Sequence, residues 1–226
     1  MKSKTASEQV SITERFMWLF NTLFHQTYAV VTVFIFWTIF YNNKLDAQFS
    51  WHMILSSLAY VPLMGEAIIL FAGDNVWSRK LERTTKYWIH GVLLFISAIL
   101  VTVGIALMID EKGGSEHFKS IHGWTGLVSW IFVLMSQCLG LLAAKAQIFS
   151  KLLPPVYIKF LHNFLGILGY VFGIVSLCYG LETRSFAKVT STEARTATYS
   201  LLGVTTTWSI LAALKSGYNQ LKTILS

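Results

Sequence analysis

The sequence predicts an all-α integral membrane protein with six transmembrane helices. Hydrophobic residues make up 54% of the 226-residue chain, and charged residues make up only 13%. A soluble globular protein carries about 25% charged residues, so this composition argues against an ordinary cytosolic enzyme. It also excludes an intrinsically disordered chain. Six apolar stretches have about the length of the roughly 20-residue helix that crosses a bilayer.

The six apolar stretches follow one another along the chain. They cover residues 16–41, 50–72, 87–109, 121–144, 157–181 and 197–214. Because backbone groups in lipid must satisfy one another, we expect each stretch to be a helix. The first is too long for a signal peptide, and the sixth, rich in Thr and Ser, is the weakest. Pro62 is expected to kink the second helix, and Pro154 and Pro155 to break the chain before the fifth.

Lys and Arg residues are distributed unevenly between the two sides of this predicted bundle. Twelve of the 18 fall on the side that carries both termini, so the positive-inside rule predicts that both termini are cytosolic. The net charge of +7 therefore reports orientation and gives no reason to expect a nucleic-acid partner. We expect one membrane domain over 16–214, with cytosolic tails at 1–15 and 215–226.

Each of helices two to five carries one histidine within its first two turns: His52, His90, His122 and His162. Alternating helix directions place His52 and His122 at the far face and His90 and His162 at the cytosolic face. Two imidazoles that face each other across a bundle suit a six-coordinate haem iron. The pattern therefore predicts a four-helix core with two haems, although a single histidine could instead bond to a neighbouring helix.

The residues around these histidines bear on the type of cofactor. Small residues occupy most positions four and seven beyond each histidine: Ser56, Ala59, Ser97, Gly126, Ser129, Gly166 and Gly169. Such strips leave room for a porphyrin, but they also line plain helix–helix contacts. Zinc prefers four ligands in one place, whereas these histidines are split between two faces. The chain contains no C-x-x-C-H motif, which excludes covalently attached haem.

In combination these residues resemble the cytochrome b561 family, in particular its short, single-domain transmembrane reductases. The resemblance covers roughly residues 49–180. It is carried by the four histidines and by two motifs, Gly65-Glu66-Ala67 and Arg83-Thr84-Thr85-Lys86. It implies two non-covalent haem b groups, held by the pairs His52/His122 and His90/His162, and a homodimer. It also implies ascorbate as cytosolic donor, monodehydroascorbate or a ferric chelate as acceptor, and an endoplasmic reticulum or vesicle membrane.

By the same resemblance, several polar side chains are candidate substrate contacts. Arg83, Lys86 and Lys159 would lie near the cytosolic haem, where a basic cluster attracts an anionic donor. The alternative is that they only set topology or anchor lipid phosphates. His117 would contact the substrate on the far side, or it is a solvated loop histidine.

The chain departs from the ascorbate-specific members at three positions. Ala72 stands where they have an arginine, Leu94 where they have a second histidine, and Asp110 where they have a loop histidine. These changes leave the four histidines in place and bear on the identity of the substrate.

Two further ionisable residues lie within the predicted helices. Glu66 is expected to be functional, since intramembrane carboxylates usually are. It would either tune the cytosolic haem or bond a hydroxyl group of a neighbouring helix. His25 lies outside the paired pattern and is expected to be structural.

Two functions of other classes are compatible with the sequence. One is a haem-free transporter or channel that uses the histidines, Glu66 and Pro62 along a solute path. The other is a scaffold that only binds partners. The resemblance instead implies a di-haem carrier that transfers electrons across the membrane, and a b-type haem spectrum of the purified protein would separate it from both.

Overall fold

The protein is a bundle of long helices. The computed structural model describes residues 11–42, 45–114, 116–145, 147–148 and 154–226, and within these ranges there are helices and no strands. Most of the expected N-terminal tail 1–15 lies outside the described residues. By length and composition, six of the helices could cross a membrane. The predicted all-α architecture with six membrane-crossing helices is therefore confirmed.

We number the six long helices α1 to α6 in chain order. Their bounds are α1 Ile12–Asn42, α2 Gln48–Ile69, α3 Arg83–Lys112, α4 Ile121–Ala144, α5 Pro155–Leu181 and α6 Thr192–Leu225. A four-residue helix, Arg184–Ala187, lies between α5 and α6. The end that carries the start of α1 and the end of α6 is called the terminal end, and the other is called the opposite end.

Helix α6 extends well beyond the apolar stretch 197–214 that predicted it. The Ser191 hydroxyl caps its first turn by accepting a hydrogen bond from the Ala194 amide at 3.2 Å. Several of its Thr and Ser hydroxyls bond back to the helix, such as that of Thr198 to the Ala194 carbonyl at 2.8 Å. Because these hydroxyls are satisfied within the helix, a stretch of modest hydropathy can be helical and partly buried. The helix continues through most of the expected tail 215–226.

Helix α2 is irregular around Pro62, as the sequence predicts. The segment Ala59–Met64 forms a π-helical turn. Proline has no N–H to donate to the preceding turn, and a π turn accommodates one extra residue in an α-helix. The next segment, Gly65–Ile69, is α-helical again. This extra residue shifts the register of everything that follows it in α2.

The helices pack as two pairs with outer additions. Helices α4 and α5 share the most extensive contact, and α2 packs chiefly on α3. Helix α6 covers α5 and the last part of α2, and α1 lies against α6 and α2. Helices α2 to α5 therefore form the predicted four-helix centre.

A buried hydrogen-bonded chain joins α2, α4 and α5 near the middle of the bundle. The Ser129 hydroxyl donates to the Gly169 carbonyl at 2.5 Å, so the Tyr60 hydroxyl must donate to Ser129, at 2.6 Å. The Tyr60 ring lies directly against Gly173, where any side chain would overlap it. The glycine at 173 is thus required by the close approach of a tyrosine ring.

Helix α1 is tied to α2 by a polar cluster around His25. Its Nδ1 lies 2.5 Å from Glu66 Oε1, and its Nε2 faces the amide oxygens of Asn21 and Asn75 at 3.2 and 3.3 Å. The Trp77 indole donates to the other Glu66 oxygen at 3.1 Å. Both imidazole nitrogens of His25 therefore face oxygen acceptors. The contact of Glu66 is with an imidazole and not with a hydroxyl group of a neighbouring helix.

Because Gly173 lies directly against the Tyr60 ring, adding one methyl group at this position should lower the stability of the fold. Replacing Gly173 with Ala should destabilise the protein by about 1–3 kcal/mol, the usual cost of overpacking a core. The control is Gly203→Ala in α6, where nothing lies within 4 Å of the added methyl. Better helix propensity should make that variant neutral or up to about 1 kcal/mol more stable. Thermal unfolding in detergent, followed by circular dichroism, measures both, and equal midpoints would contradict the packing.

Candidate functional site

At the opposite end of the bundle, His52 of α2 and His122 of α4 face each other. Their ring centroids are 5.9 Å apart, and the ring planes are nearly perpendicular, at 83°. Each Nδ1 donates to a backbone carbonyl of a neighbouring helix: His52 to Gly104 at 2.9 Å and His122 to Ser176 at 2.8 Å. The structure thus brings together one of the two predicted pairs.

The second predicted pair, His90 of α3 and His162 of α5, lies at the terminal end. Its ring centroids are 6.2 Å apart, at an interplanar angle of 80°. The His90 Nδ1 donates to the Ala67 carbonyl and the His162 Nδ1 to the Ser136 carbonyl, both at 2.9 Å. The two pairs therefore have the same geometry at opposite ends of the bundle.

The four carbonyl bonds determine which imidazole nitrogen can bind a metal. A carbonyl only accepts hydrogen bonds, so each Nδ1 must carry the hydrogen, which leaves Nε2 unprotonated. Histidine ligands of metals commonly have this arrangement. A metal ion would fit between the two rings of each pair, since metal–imidazole bonds measure roughly 2.0 Å. The spacing and the tautomers of both pairs fit such an ion.

Helices α4 and α5 hold their histidines by the same reciprocal contact. The Ser176 hydroxyl donates to the His122 carbonyl at 2.8 Å, and the Ser136 hydroxyl donates to the His162 carbonyl at 3.0 Å. One turn beyond each serine, a glycine faces the ring: a methyl group on Gly180 would lie 3.2 Å from His122, and one on Gly140 would lie 3.0 Å from His162. The two helices are thus related by an approximate twofold axis.

This relation is also visible in the sequence as a repeat that extends well beyond the two histidines. The pattern H-x3-G-x9-S-x-C-x-G occurs at 122–140 and again at 162–180. Its first glycines, Gly126 and Gly166, face the hydroxyls of Ser176 and Ser136, where a methyl group would lie 3.0 and 3.1 Å away. These small residues therefore serve the close helix–helix contact that was left open as an alternative.

Helices α2 and α3 form a similar reciprocal pair with one difference. The interval from His52 to the acceptor Ala67 is one residue longer than the interval from His90 to the acceptor Gly104. The π turn Ala59–Met64 lies between His52 and Ala67 and adds the extra residue. The irregular turn at Pro62 therefore brings the Ala67 carbonyl into register with His90.

The distance between the two pairs follows from the same contacts. His162 contacts Ser136, which lies about four turns along α4 from His122. At a rise of about 1.5 Å for each residue, the two pairs are about 21 Å apart along the helix. The two pairs could thus hold two separate groups within one membrane-spanning bundle.

A cavity surrounds the opposite-end pair. It is lined by His52, His122 and small residues such as Ser56 and Gly126. The two imidazole rings therefore face one common space, beside which the side chains are small.

The mouth of this cavity carries two basic side chains, those of Lys112 and His117. The His117 Nε2 bonds to the Gly113 carbonyl at 3.1 Å. Phe118 also lines the mouth, and its φ of 57° is unusual for a bulky residue. The structure thus places the predicted His117 beside the candidate site, together with Lys112, which no sequence motif marks as a site residue.

At the terminal end, the predicted basic residues lie close to the second pair along their helices. Lys86 precedes His90 by one turn and Lys159 precedes His162 by one turn, so each shares a helix face with its histidine. Arg83 Nε donates to the Tyr87 hydroxyl at 2.6 Å. Lys159 and Arg83 are exposed.

An aromatic contact chain links Arg83 to His90. The Tyr87 ring lies 5.5 Å from the Phe71 ring, which lies 5.2 Å from the His90 ring. Phe71 belongs to the turn after α2, so only folding of that turn brings it to α3. Nothing in the local sequence marks it as a neighbour of His90.

The competing zinc chemistry has no support in the described ranges. No group of three or more His, Cys, Asp or Glu side chains there could hold a metal ion. Paired histidines without a third protein ligand suit an iron whose remaining positions are filled by a porphyrin.

Comparison with known proteins supports this interpretation. The transmembrane reductase CYB561D2 of Mus musculus is 32% identical over 111 residues, 48% of this chain and 48% of the relative. The Bos taurus protein of the same name is 34% identical over the same shares. The transmembrane ascorbate-dependent reductase CYB561 of Sus scrofa is 28% identical over 96 residues, 42% of this chain and 36% of the relative. The matched region thus spans about half the length of the CYB561D2 relatives and 36% of the length of CYB561.

The family comparison covers a longer part of the chain. Residues 51–188 match the family described as eukaryotic cytochrome b561. This range contains all four paired histidines, the π turn of α2 and the whole α4–α5 contact. It covers more than half of the 226 residues. With both histidine pairs inside the matched range, the chain belongs to the eukaryotic cytochrome b561 family.

Proposed function

We propose that this protein transfers single electrons across a membrane between two haem b groups, one at each histidine pair. The His90/His162 pair would serve the cytosolic side, and the His52/His122 pair the other side. Haem b, when bound, supplies a one-electron acceptor and donor. The family name supports haem b as the cofactor, and the observation that carries the proposal is the pair of histidine sites with matching tautomers and spacing.

The reaction balances with ascorbate as the donor. An ascorbate monoanion that gives up one electron and one proton becomes the monodehydroascorbate radical anion. On the other side, a monodehydroascorbate radical that takes up one electron and one proton becomes ascorbate, or one ferric ion becomes ferrous. The names of the ascorbate-dependent relatives support this donor.

The chain's own residues contribute binding and orientation. At the terminal end, Lys86, Arg83 and Lys159 would attract an anionic reductant towards the His90/His162 pair. At the opposite end, Lys112 and His117 would hold an anionic acceptor at the mouth of the cavity. Four backbone carbonyls keep the four imidazoles in one tautomer, which favours binding of iron at Nε2. They are those of Gly104, Ala67, Ser176 and Ser136.

The pairing predicts selective loss of one haem. Replacing His122 with Ala should remove the opposite-end haem, and replacing His162 with Ala should remove the terminal-end haem. The haem content of each purified variant should fall from about two per chain to about one, because each variant lacks one of the two imidazoles that would hold that haem. Pyridine haemochrome assays and reduced-minus-oxidised spectra measure this.

His117→Ala is the control, because His117 lies at the mouth of the cavity and outside both pairs. It should retain both haems. A purified wild-type protein without a b-type α-band would refute electron transfer. Variants of His122 and His162 that lose the same haem would refute the pairing.

The basic residues at the terminal end predict that removing one of them slows reduction by an anionic donor. Lys86→Gln should slow reduction of the terminal-end haem by ascorbate about two- to fivefold, since a solvent-screened charge contact is worth roughly 0.5–1 kcal/mol. Reduction by an uncharged hydroquinone should not change. Stopped-flow spectroscopy at low and high salt measures both rates.

Lys80→Gln is the matched control for this experiment. Lys80 is exposed in the turn before α3, so it does not share the helix face that carries Lys86 and His90. An equal loss in both variants would indicate a general effect of charge. An unchanged rate in Lys86→Gln would remove this residue from the donor site.

A further inference from the structure

Arg195 is a buried charge at the opposite end of the bundle. It lies in the first turn of α6, and only 8% of its surface is exposed. A cation is unfavourable near a helix N-terminus because the helix dipole is positive there. A buried charge also requires partners that replace water. The position of this residue is therefore explained only by what it binds.

The guanidinium group holds three parts of the chain together. Its Nε donates to Glu182 Oε1 at 3.0 Å, where α5 ends. Its Nη1 donates to the Thr190 carbonyl at 2.8 Å and lies 3.4 Å from the Ala187 carbonyl and the Thr190 hydroxyl, and Nη2 lies 3.4 Å from the Thr192 hydroxyl. The segment 182–190 is thus fixed along its length by one side chain.

This segment forms part of the wall around the opposite-end histidines. Thr183 and Phe186 line the same cavity as His122. Phe186 is buried and contacts Phe34 of α1, with ring centroids 6.3 Å apart. The Thr183 hydroxyl donates to the Gly180 carbonyl at 2.7 Å, and Gly180 packs against the His122 ring. A continuous set of contacts therefore connects Arg195 to His122.

We propose that Arg195 is a positioning residue of the opposite-end site. It holds segment 182–190 in place as part of the cavity wall and thereby fixes the position of the His122 ring. The inference rests on the proposed function insofar as that site holds a haem. Lysine could not replace arginine here, because a single ammonium cannot reach acceptors spread over Glu182, Thr190 and Thr192 as a planar guanidinium fork does.

The test compares Arg195→Gln with Arg184→Gln in the full-length protein purified with its haems. Arg184 lies in the same segment and is exposed, so the control removes the same charge without opening the cluster. Electron paramagnetic resonance and midpoint potentials are recorded for both haems, which the His122→Ala and His162→Ala variants assign. Hydrogen–deuterium exchange of segment 182–190 is measured in parallel.

In Arg195→Gln the signal and potential of the opposite-end haem should shift, whereas those of the terminal-end haem stay in place. Amide exchange in 182–190 should rise at least about tenfold, because the segment loses its hydrogen bonds to a charged group. Arg184→Gln should change neither quantity. Arg195→Lys should behave like Arg195→Gln and not like the wild-type protein.

Three results would overturn the proposal: unchanged signals of both haems, equal shifts of both, or unchanged exchange in 182–190. The exchange measurement needs no haem. It therefore decides whether Arg195 holds segment 182–190 in place even if the protein binds no haem. A wild-type protein without two haems would count against the proposed function, and the exchange data would still confirm or refute the role of Arg195.

Discussion

Four hydrogen bonds from histidine Nδ1 atoms to backbone carbonyls determine how the central helices are arranged. A buried imidazole without a partner is costly in lipid, and a helical carbonyl can accept a second bond besides that of its own helix. Each bond therefore fixes a ring and the distance between two helices at once. Within each pair, each helix donates one such bond from its histidine and accepts one at a backbone carbonyl. The helices therefore associate as reciprocal pairs.

The two helix pairs reach this arrangement by different means. Helices α4 and α5 use two copies of one motif, with serine and glycine placed identically after His122 and His162. Helices α2 and α3 share no such motif, and the register is corrected by the π turn at Pro62. A π turn is tolerated in a membrane helix when neighbouring groups satisfy its backbone. The irregularity in α2 is thus part of the histidine geometry and not a local defect.

Much of the fold follows from hydropathy, and the histidine pairs follow from helix direction. The acceptors at Gly104 and Ala67 could not be predicted, because a backbone carbonyl has no sequence signature. Phe71 reaches His90 only through the folding of a turn. The length of α6 was underestimated because hydropathy detects only its apolar part, whereas the turns at its two ends carry charged residues such as Arg195 and Lys215. For the carbonyl acceptors and for Phe71, the missing information concerns contact partners and not residue type.

The few charges of this chain differ in role according to burial. His25 contacts the carboxyl group of Glu66 within the bundle, and the buried Arg195 is matched by the carboxylate of Glu182. Such pairs hold helices and loops but present little field to a substrate. Arg83 is exposed and donates to the uncharged Tyr87 hydroxyl, so this partner does not neutralise its positive charge. A count of Lys and Arg therefore predicts orientation, whereas burial decides which of them can meet an anionic substrate.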